Sequence, residues 1–116
     1  MRLKIYLDDE RPTPEGYTHR CYGPEEVIAL LQQAEKDGDI VELISLDHDL
    51  GEFNREHNRT GYDVLTWLEE QVHTRGFIPP RTVAIHSANP SAKEKMRAAR
   101  YAIYQKAEEL GIDWRR

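Results

Sequence analysis

Acidic and imidazole side chains directly follow three short apolar segments of the chain, residues 3–7, 43–46 and 82–85. They are Asp8 and Asp9 after the first segment, Asp47, His48 and Asp49 after the second, and His86 after the third. Carboxylate oxygens suit Mg²⁺ or Mn²⁺ holding a phosphate. A histidine pair could supply the base and the acid that opening a cyclic phosphodiester requires. The pattern therefore predicts one polar site built from three strand tips.

Each of these residues has a predicted role. The predicted metal ligands are Asp8, Asp9 and Asp47, and the predicted catalytic residues are His48, Asp47, Asp49 and His86. Asp47 is the central candidate because it follows an apolar strand directly. Asp49 lies two residues further on, so in an extended chain its side chain would point to the same face as that of Asp47. Alternatively, an acid could cap the turn that follows it, and either histidine could be a packed structural residue.

A phosphate at this site would also need hydrogen-bond donors. Ser87 could donate its hydroxyl to a phosphate oxygen, and Asn89 with the free amides that open the last helix could form an anion site. Lys93 lies in the first turns of that helix, and Arg11 lies in the loop opposite. Both cations could instead be solvated surface charges, and the two interpretations stay open.

The elements that must position these residues alternate along the chain as strand, loop, strand, helix, strand, helix, strand, helix. This order predicts an α/β three-layer sandwich around a mostly parallel four-stranded sheet of order 2-1-3-4. Strands one and three would then lie side by side where the winding reverses, and ligands bind at that crevice. Residues 8–16 are too few for a helical crossover, so the second strand, residues 17–22, could run antiparallel at the edge.

The helix starts carry recognisable capping patterns. Thr60 with Asp63 predicts one capping box, and Ser91 with Glu94 predicts another. The polar run of residues 52–59 shows no periodicity, and we interpret it as a loop over the site.

Length and composition restrict the classes of function. A chain of 116 residues with 39% hydrophobic and 32% charged positions predicts a single domain, residues 1–116. The sequence has no apolar run of membrane-spanning length, and its lone Cys21 has no internal partner, so we expect a cytoplasmic protein that avoids membranes. A net charge of -5 argues against binding a long nucleic-acid duplex, while a small nucleotide or an RNA end remains a possible partner. The oligomeric state stays open.

Four motifs together resemble the cyclic-phosphate processing receiver family. They are LDDERPTP at residues 7–14, SLDHDLG at 45–51, TGYDVL at 60–65 and HSANP at 86–90. The resemblance covers nearly the whole chain in the right order. It implies a receiver, flavodoxin-like fold and a role in handling 2',3'-cyclic phosphate ends in RNA repair or conflict systems.

Two other groups of proteins share parts of this pattern. The chain is similar to response-regulator receivers, in which Asp8 and Asp9 would match the metal-binding acids, Asp47 the phosphoacceptor and Ser87 the switch hydroxyl. Those receivers place a lysine on a fifth strand, which is missing here because only residues 112–116 follow the last helix, although Lys93 could substitute. Residues 47–49 also resemble the DxD motif of haloacid-dehalogenase phosphatases.

Two hypotheses about function follow. The first is a phosphoesterase that depends on Mg²⁺ or Mn²⁺ and acts on 2',3'-cyclic phosphate ends of RNA or on cyclic nucleotides. The alternative is a non-enzymatic, receiver-like regulatory module that is phosphorylated on Asp47 or binds a nucleotide.

Overall fold

The protein has an α/β fold, and the computed structural model describes residues 2–50 and 60–114. Within these residues the elements are β1 (Arg2–Leu7), β2 (His19–Cys21), α1 (Pro24–Asp37), β3 (Ile40–Leu46), α2 (Tyr62–Arg75), β4 (Thr82–Ile85) and α3 (Pro90–Glu109). The polar run 52–59, interpreted above as a loop over the site, lies outside the described residues. No described helix is both long enough and apolar enough to cross a membrane.

The four strands form one sheet in the order β2-β1-β3-β4, and every neighbouring pair is parallel. The predicted receiver-like α/β class and strand order are therefore confirmed. The antiparallel course allowed for β2 is wrong, since Tyr6 of β1 lies in parallel register with Arg20 of β2. Residues 8–18, at up to about 3.3 Å each, are long enough to bring the chain back without a helix.

The main core lies on one face of the sheet. Along β1, Leu3, Ile5 and Leu7 are buried, whereas Arg2 and Lys4 on the other face are exposed. The three helices pack on the buried face, and each contacts its neighbour along the chain. The connections from β2 to β3 and from β3 to β4 both run across the sheet in the same direction, toward the edge formed by β4. Because such connections are right-handed, both place their helices on the same face of the sheet. The second helical layer expected of a three-layer sandwich is therefore not found among the described residues.

The opposite face of the sheet is polar. Arg2 pairs with Glu42 at 2.8 Å near the amino end of the strands. At the carboxyl end, the rings of Tyr6 and Tyr17 form a T-shaped pair with 5.1 Å between their centroids, and the guanidinium of Arg20 lies over the Tyr6 ring. Polar side chains that are paired or hydrated allow this face to meet solvent at little cost.

Apolar side chains of the three helices supply most of the core. The buried helical residues in the central cluster are Val27, Leu31 and Ala34 of α1, Val64, Leu65, Leu68 and Val72 of α2, and Met96, Ala99 and Ile103 of α3. Leu110, the residue that follows the end of α3 at Glu109, is 47% exposed.

Thr60 and Asp63 form reciprocal hydrogen bonds before α2, as a capping box does, although Gly61 rather than Thr60 directly precedes the helix. The Thr60 hydroxyl accepts from the amide of Tyr62 at 3.2 Å, and the Asp63 carboxylate accepts from the amide of Thr60 at 2.7 Å. This reciprocal pair satisfies amides that would otherwise be unpaired at the start of the helix.

The capping box predicted before α3 is wrong. The helix begins earlier, at Pro90, and the side chain of Asn89 accepts from the amide of Ala92 at 3.1 Å. Ser91 therefore lies inside the helix. Proline suits the first helical position because its missing amide hydrogen would have no partner there.

Candidate metal and phosphate site

Asp8 lies directly after β1 and is only 1% exposed. Its Oδ1 accepts from the amides of Glu10 and Arg11 at 2.9 and 3.0 Å. Its Oδ2 lies 2.8 Å from Nη1 of Arg11 and 2.9 Å from Nε2 of His86. Burial alone would raise the pKa of Asp8, but these donors outweigh it and lower the pKa to about 2. The Asp8 carboxylate is therefore ionised and fully hydrogen-bonded.

His86 follows β4 and is held by three neighbours. Its Nε2 faces Asp8, its Nδ1 lies 2.7 Å from the hydroxyl of Ser45, and its ring stacks on Tyr6 with 4.7 Å between centroids. Because Asp8 is ionised, the hydrogen in the contact between Nε2 and Oδ2 comes from His86. Both ring nitrogens are thus engaged, which fixes the orientation of the imidazole.

Ser45 was not singled out from the sequence, although a signal was present. It is a polar residue between Ile44 and Leu46 in the apolar run of β3. It lies two residues before Asp47, so the two side chains are expected on the same face of the strand. Ser45 is buried in the structure. A buried hydroxyl needs a hydrogen-bond partner, and here that partner is His86.

Asp47 lies directly after β3 and is 6% exposed. Its Oδ1 accepts from the amide of His48 at 2.9 Å, and its Oδ2 lies 3.8 Å from Nη1 of Arg11. Burial, followed by the negative charge of Asp8, raises the pKa of Asp47, while the His48 amide, His86 and Arg11 lower it in part. The Asp47 charge is therefore less well compensated than that of Asp8, and a bound cation would relieve it.

Asp8, Asp47 and His86 could together hold a metal ion, because one ligand atom from each lies within 4.8 Å of the others. Two of them are predicted ligands, while the third is His86 rather than Asp9. Two carboxylates and an imidazole suit a divalent cation, and the imidazole nitrogen suits a transition-metal ion better than Mg²⁺. The guanidinium of Arg11 now lies beside both carboxylates, so a cation would displace it.

The acids converge on a cleft of about 250 Å³ at the carboxyl ends of the strands. Its lining residues are Asp8, Asp9, Glu10, Arg11, Asp47, Asp49 and Ala88. Carboxylates far outnumber the single guanidinium, so an anionic ligand would be repelled unless a cation accompanied it. Asp9 lines this cleft without belonging to the group of three.

His48 and Asp49 form a pair of their own. The Nδ1 of His48 lies 3.0 Å from Oδ1 of Asp49, an exposed residue that lines the cleft. A carboxylate at one ring nitrogen orients the imidazole and leaves the other nitrogen available for proton transfer.

Gly61 packs directly against the turn that carries Asp47 and His48. Its amide donates to the carbonyl of His48 at 3.2 Å. A Cβ atom at this glycine would lie 1.8 Å from the carbonyl oxygen of Asp47, which leaves no room for a side chain. The TGYD motif therefore does more than start α2, because it also fixes the turn between Asp47 and His48.

The predicted phosphate-binding residues lie in three different places. Ser87 is 5% exposed and accepts from the amide of Asn89 at 3.1 Å, so both belong to the turn between β4 and α3. Lys93 lies one turn into α3, and its side chain forms no ion pair or hydrogen bond with the described residues. Arg11 contacts Asp8 and lies near Asp47.

The comparison with protein families agrees with this architecture. The model of the cyclic-phosphate processing receiver domain matches residues 3–102. The chain belongs to this family. The resemblance noted from the four motifs is thereby confirmed, and the matched range of this receiver domain includes every site residue described above. Searches of curated proteins and of solved structures found no match.

Proposed function

We propose that this receiver domain is a divalent-cation-dependent phosphoesterase that acts on 2',3'-cyclic phosphate ends of RNA or on cyclic nucleotides. The observation that carries the proposal is the convergence of Asp8, Asp47 and His86 within 4.8 Å, in a cleft rich in carboxylates. Membership of a cyclic-phosphate processing family supports the same class of ligand.

The side chains of the site would have different roles in this reaction. When bound, the cation would neutralise the phosphate charge and activate a water molecule. Asp8, Asp47 and His86 would hold it, and Arg11, once displaced from the carboxylates, would face the phosphate. His48 would transfer a proton at Nε2, because Asp49 holds its other nitrogen. His86 is assigned to cation binding rather than to proton transfer. With a cation bound, the ring hydrogen would lie on Nδ1, which faces Ser45, so that Nε2 would be free to hold the cation beside Asp8.

Hydrolysis of a 2',3'-cyclic mononucleotide with Mg²⁺ or Mn²⁺ tests this proposal. His48→Ala is expected to lower the rate by about a hundredfold, the usual contribution of a proton-transfer group. His73→Ala is the matched control, because His73 is an exposed histidine on α2. Equal rates for the two variants would contradict the role of His48. Stable labelling of Asp47 by a small phosphodonor, with no hydrolysis by the wild type, would instead favour the regulatory alternative.

Cation binding can be measured separately by thermal unfolding of Asp47→Asn. Without a cation, this variant is expected to be more stable than the wild type, because it removes a buried charge that Asp8 repels. At a cation concentration a hundred times the dissociation constant, the wild type should gain about 2.7 kcal/mol and the variant almost nothing. An equal gain in both proteins would show that Asp47 is not a ligand.

A further inference from the structure

A second groove lies between α3 and the outer edge of β4, which is the last strand of the described sheet. It has a volume of about 650 Å³. Its charged and aromatic lining residues are Arg81, Arg97, Arg100, Tyr101, Tyr104 and Glu108. Three arginines and one glutamate give this groove a positive charge, in contrast to the net charge of -5 for the chain.

The positive charge extends along α3 toward the metal and phosphate site. Lys93, Arg97, Arg100 and Tyr104 follow one another at intervals of three or four residues, so they lie on the same side of the helix. The helix begins next to Asn89, at the carboxyl end of β4. A ligand lying along this side of α3 would therefore point one of its ends toward the acidic cleft.

The residues of the groove differ in their availability to a ligand. Arg100 donates to the carbonyl of Val83 at 2.9 Å, and the guanidinium of Arg81 donates to the carbonyl of Trp114. Arg97, by contrast, is exposed and forms no ion pair or hydrogen bond through its side chain within the described part of the chain. Tyr101 is 68% exposed. Free cations beside an exposed aromatic ring are typical of surfaces that bind phosphates and stack bases.

We propose that this groove, extended along α3 to Lys93, binds a single-stranded oligonucleotide, with a phosphate at Arg97 in the groove, another at Lys93 beyond it, and a base stacked on Tyr101. The binding rests on the groove alone, while the entry of the strand's end into the cleft rests on the proposed function. Charge complementarity favours a polyanion over a second copy of this acidic chain. Arg100 also occupies a carbonyl on the open edge of β4, which hinders the addition of a further strand there.

Fluorescence anisotropy with a short labelled oligouridylate that ends in an ordinary 3'-hydroxyl tests the groove independently of catalysis. Arg97→Glu is expected to weaken binding by about tenfold and to reduce the slope of log affinity against log salt by about 0.7 for each phosphate that is no longer neutralised. Tyr101→Ala should weaken binding by about fivefold or more. Lys36→Glu makes the same type of charge change at an exposed position on α1 and should change the affinity by less than about twofold.

Each outcome bears on one of the two proposals. Hydrolysis of the cyclic mononucleotide should be the same in Arg97→Glu as in the wild type, whereas hydrolysis of an oligonucleotide with a cyclic phosphate end should fall. Selective loss of oligouridylate binding supports the groove even if no cyclic phosphate is hydrolysed. Equal binding by all variants, equally tight binding of an oligoglutamate peptide, or a dimer that Arg97→Glu dissociates would overturn the groove proposal.

Discussion

Gly61→Ala is expected to lower the free energy of unfolding by about 4 kcal/mol or more, beyond the usual cost of overpacking. The added methyl group would lie 1.8 Å from the Asp47 carbonyl oxygen and 3.3 Å from Cε of Met96. The Asp47 oxygen belongs to the backbone at the end of β3, so the added methyl group could fit only if the turn itself moved. Displacing that turn would also move the Asp47 carboxylate, and cation-dependent stabilisation should disappear. Urea unfolding with and without Mn²⁺ measures both effects.

Gly16→Ala separates this close packing from backbone strain. Gly61 has φ -60 and ψ -23, which alanine adopts readily, whereas Gly16 has φ 97 and open space around it. Gly16→Ala should therefore cost only about 1 kcal/mol, as expected for a non-glycine residue at positive φ. If the two variants were equally stable, the close packing of Gly61 against Asp47 would be refuted.

Asp8→Asn is expected to destabilise the protein by about 3 kcal/mol near pH 7, because its donors would be left without a buried charged acceptor. An asparagine could still accept from the amides of Glu10 and Arg11. Its amide group would, however, present hydrogens to Arg11 or His86, which are themselves donors. Asp9→Asn, the same change one residue along, should cost less than about 0.5 kcal/mol, since the Asp9 carboxylate accepts no hydrogen bond from the described residues.

The effect of Asp8 should also depend on pH. Folding lowers the pKa of Asp8 from 3.8 to about 2, so the folded state prefers the ionised form. This preference contributes about 2 kcal/mol of stability above pH 4 and is lost progressively as the pH falls toward 2. The difference in stability between wild type and Asp8→Asn, measured by urea unfolding, should narrow below pH 4. A constant difference down to pH 3 would contradict this account.

Much of the architecture could be predicted because local and global signals agree. Apolar runs that end in polar residues predicted where the strands end. The short connections between successive elements of the chain limited the possible topologies. The proximity of Asp8 and Asp47 followed from this topology, because neighbouring parallel strands end at the same edge of a sheet. The start of α2 was predicted to within one residue, since the hydrogen bonds of Thr60 and Asp63 are local.

Other features depend on side-chain geometry that the sequence pattern does not contain. The sequence placed Asp9 among the metal ligands and His86 among the catalytic residues, but only the coordinates bring His86 within reach of Asp8 and Asp47. The role of Ser45 depends on a hydrogen bond across the sheet between residues 41 positions apart. The start of α3 was misplaced because two capping residues competed within a few positions, and Asn89 with Pro90 prevailed.

The position of Arg11 has a consequence for the order in which ligands bind. Its guanidinium lies 2.8 Å from Asp8 and 3.8 Å from Asp47, so it serves as a tethered counter-ion in the resting protein. Uptake of a metal ion would then exchange one positive charge for another, and a monovalent ion would gain little from this exchange. The same exchange would free Arg11 for an anion, so the binding of a metal ion and the binding of a phosphate would be mutually cooperative.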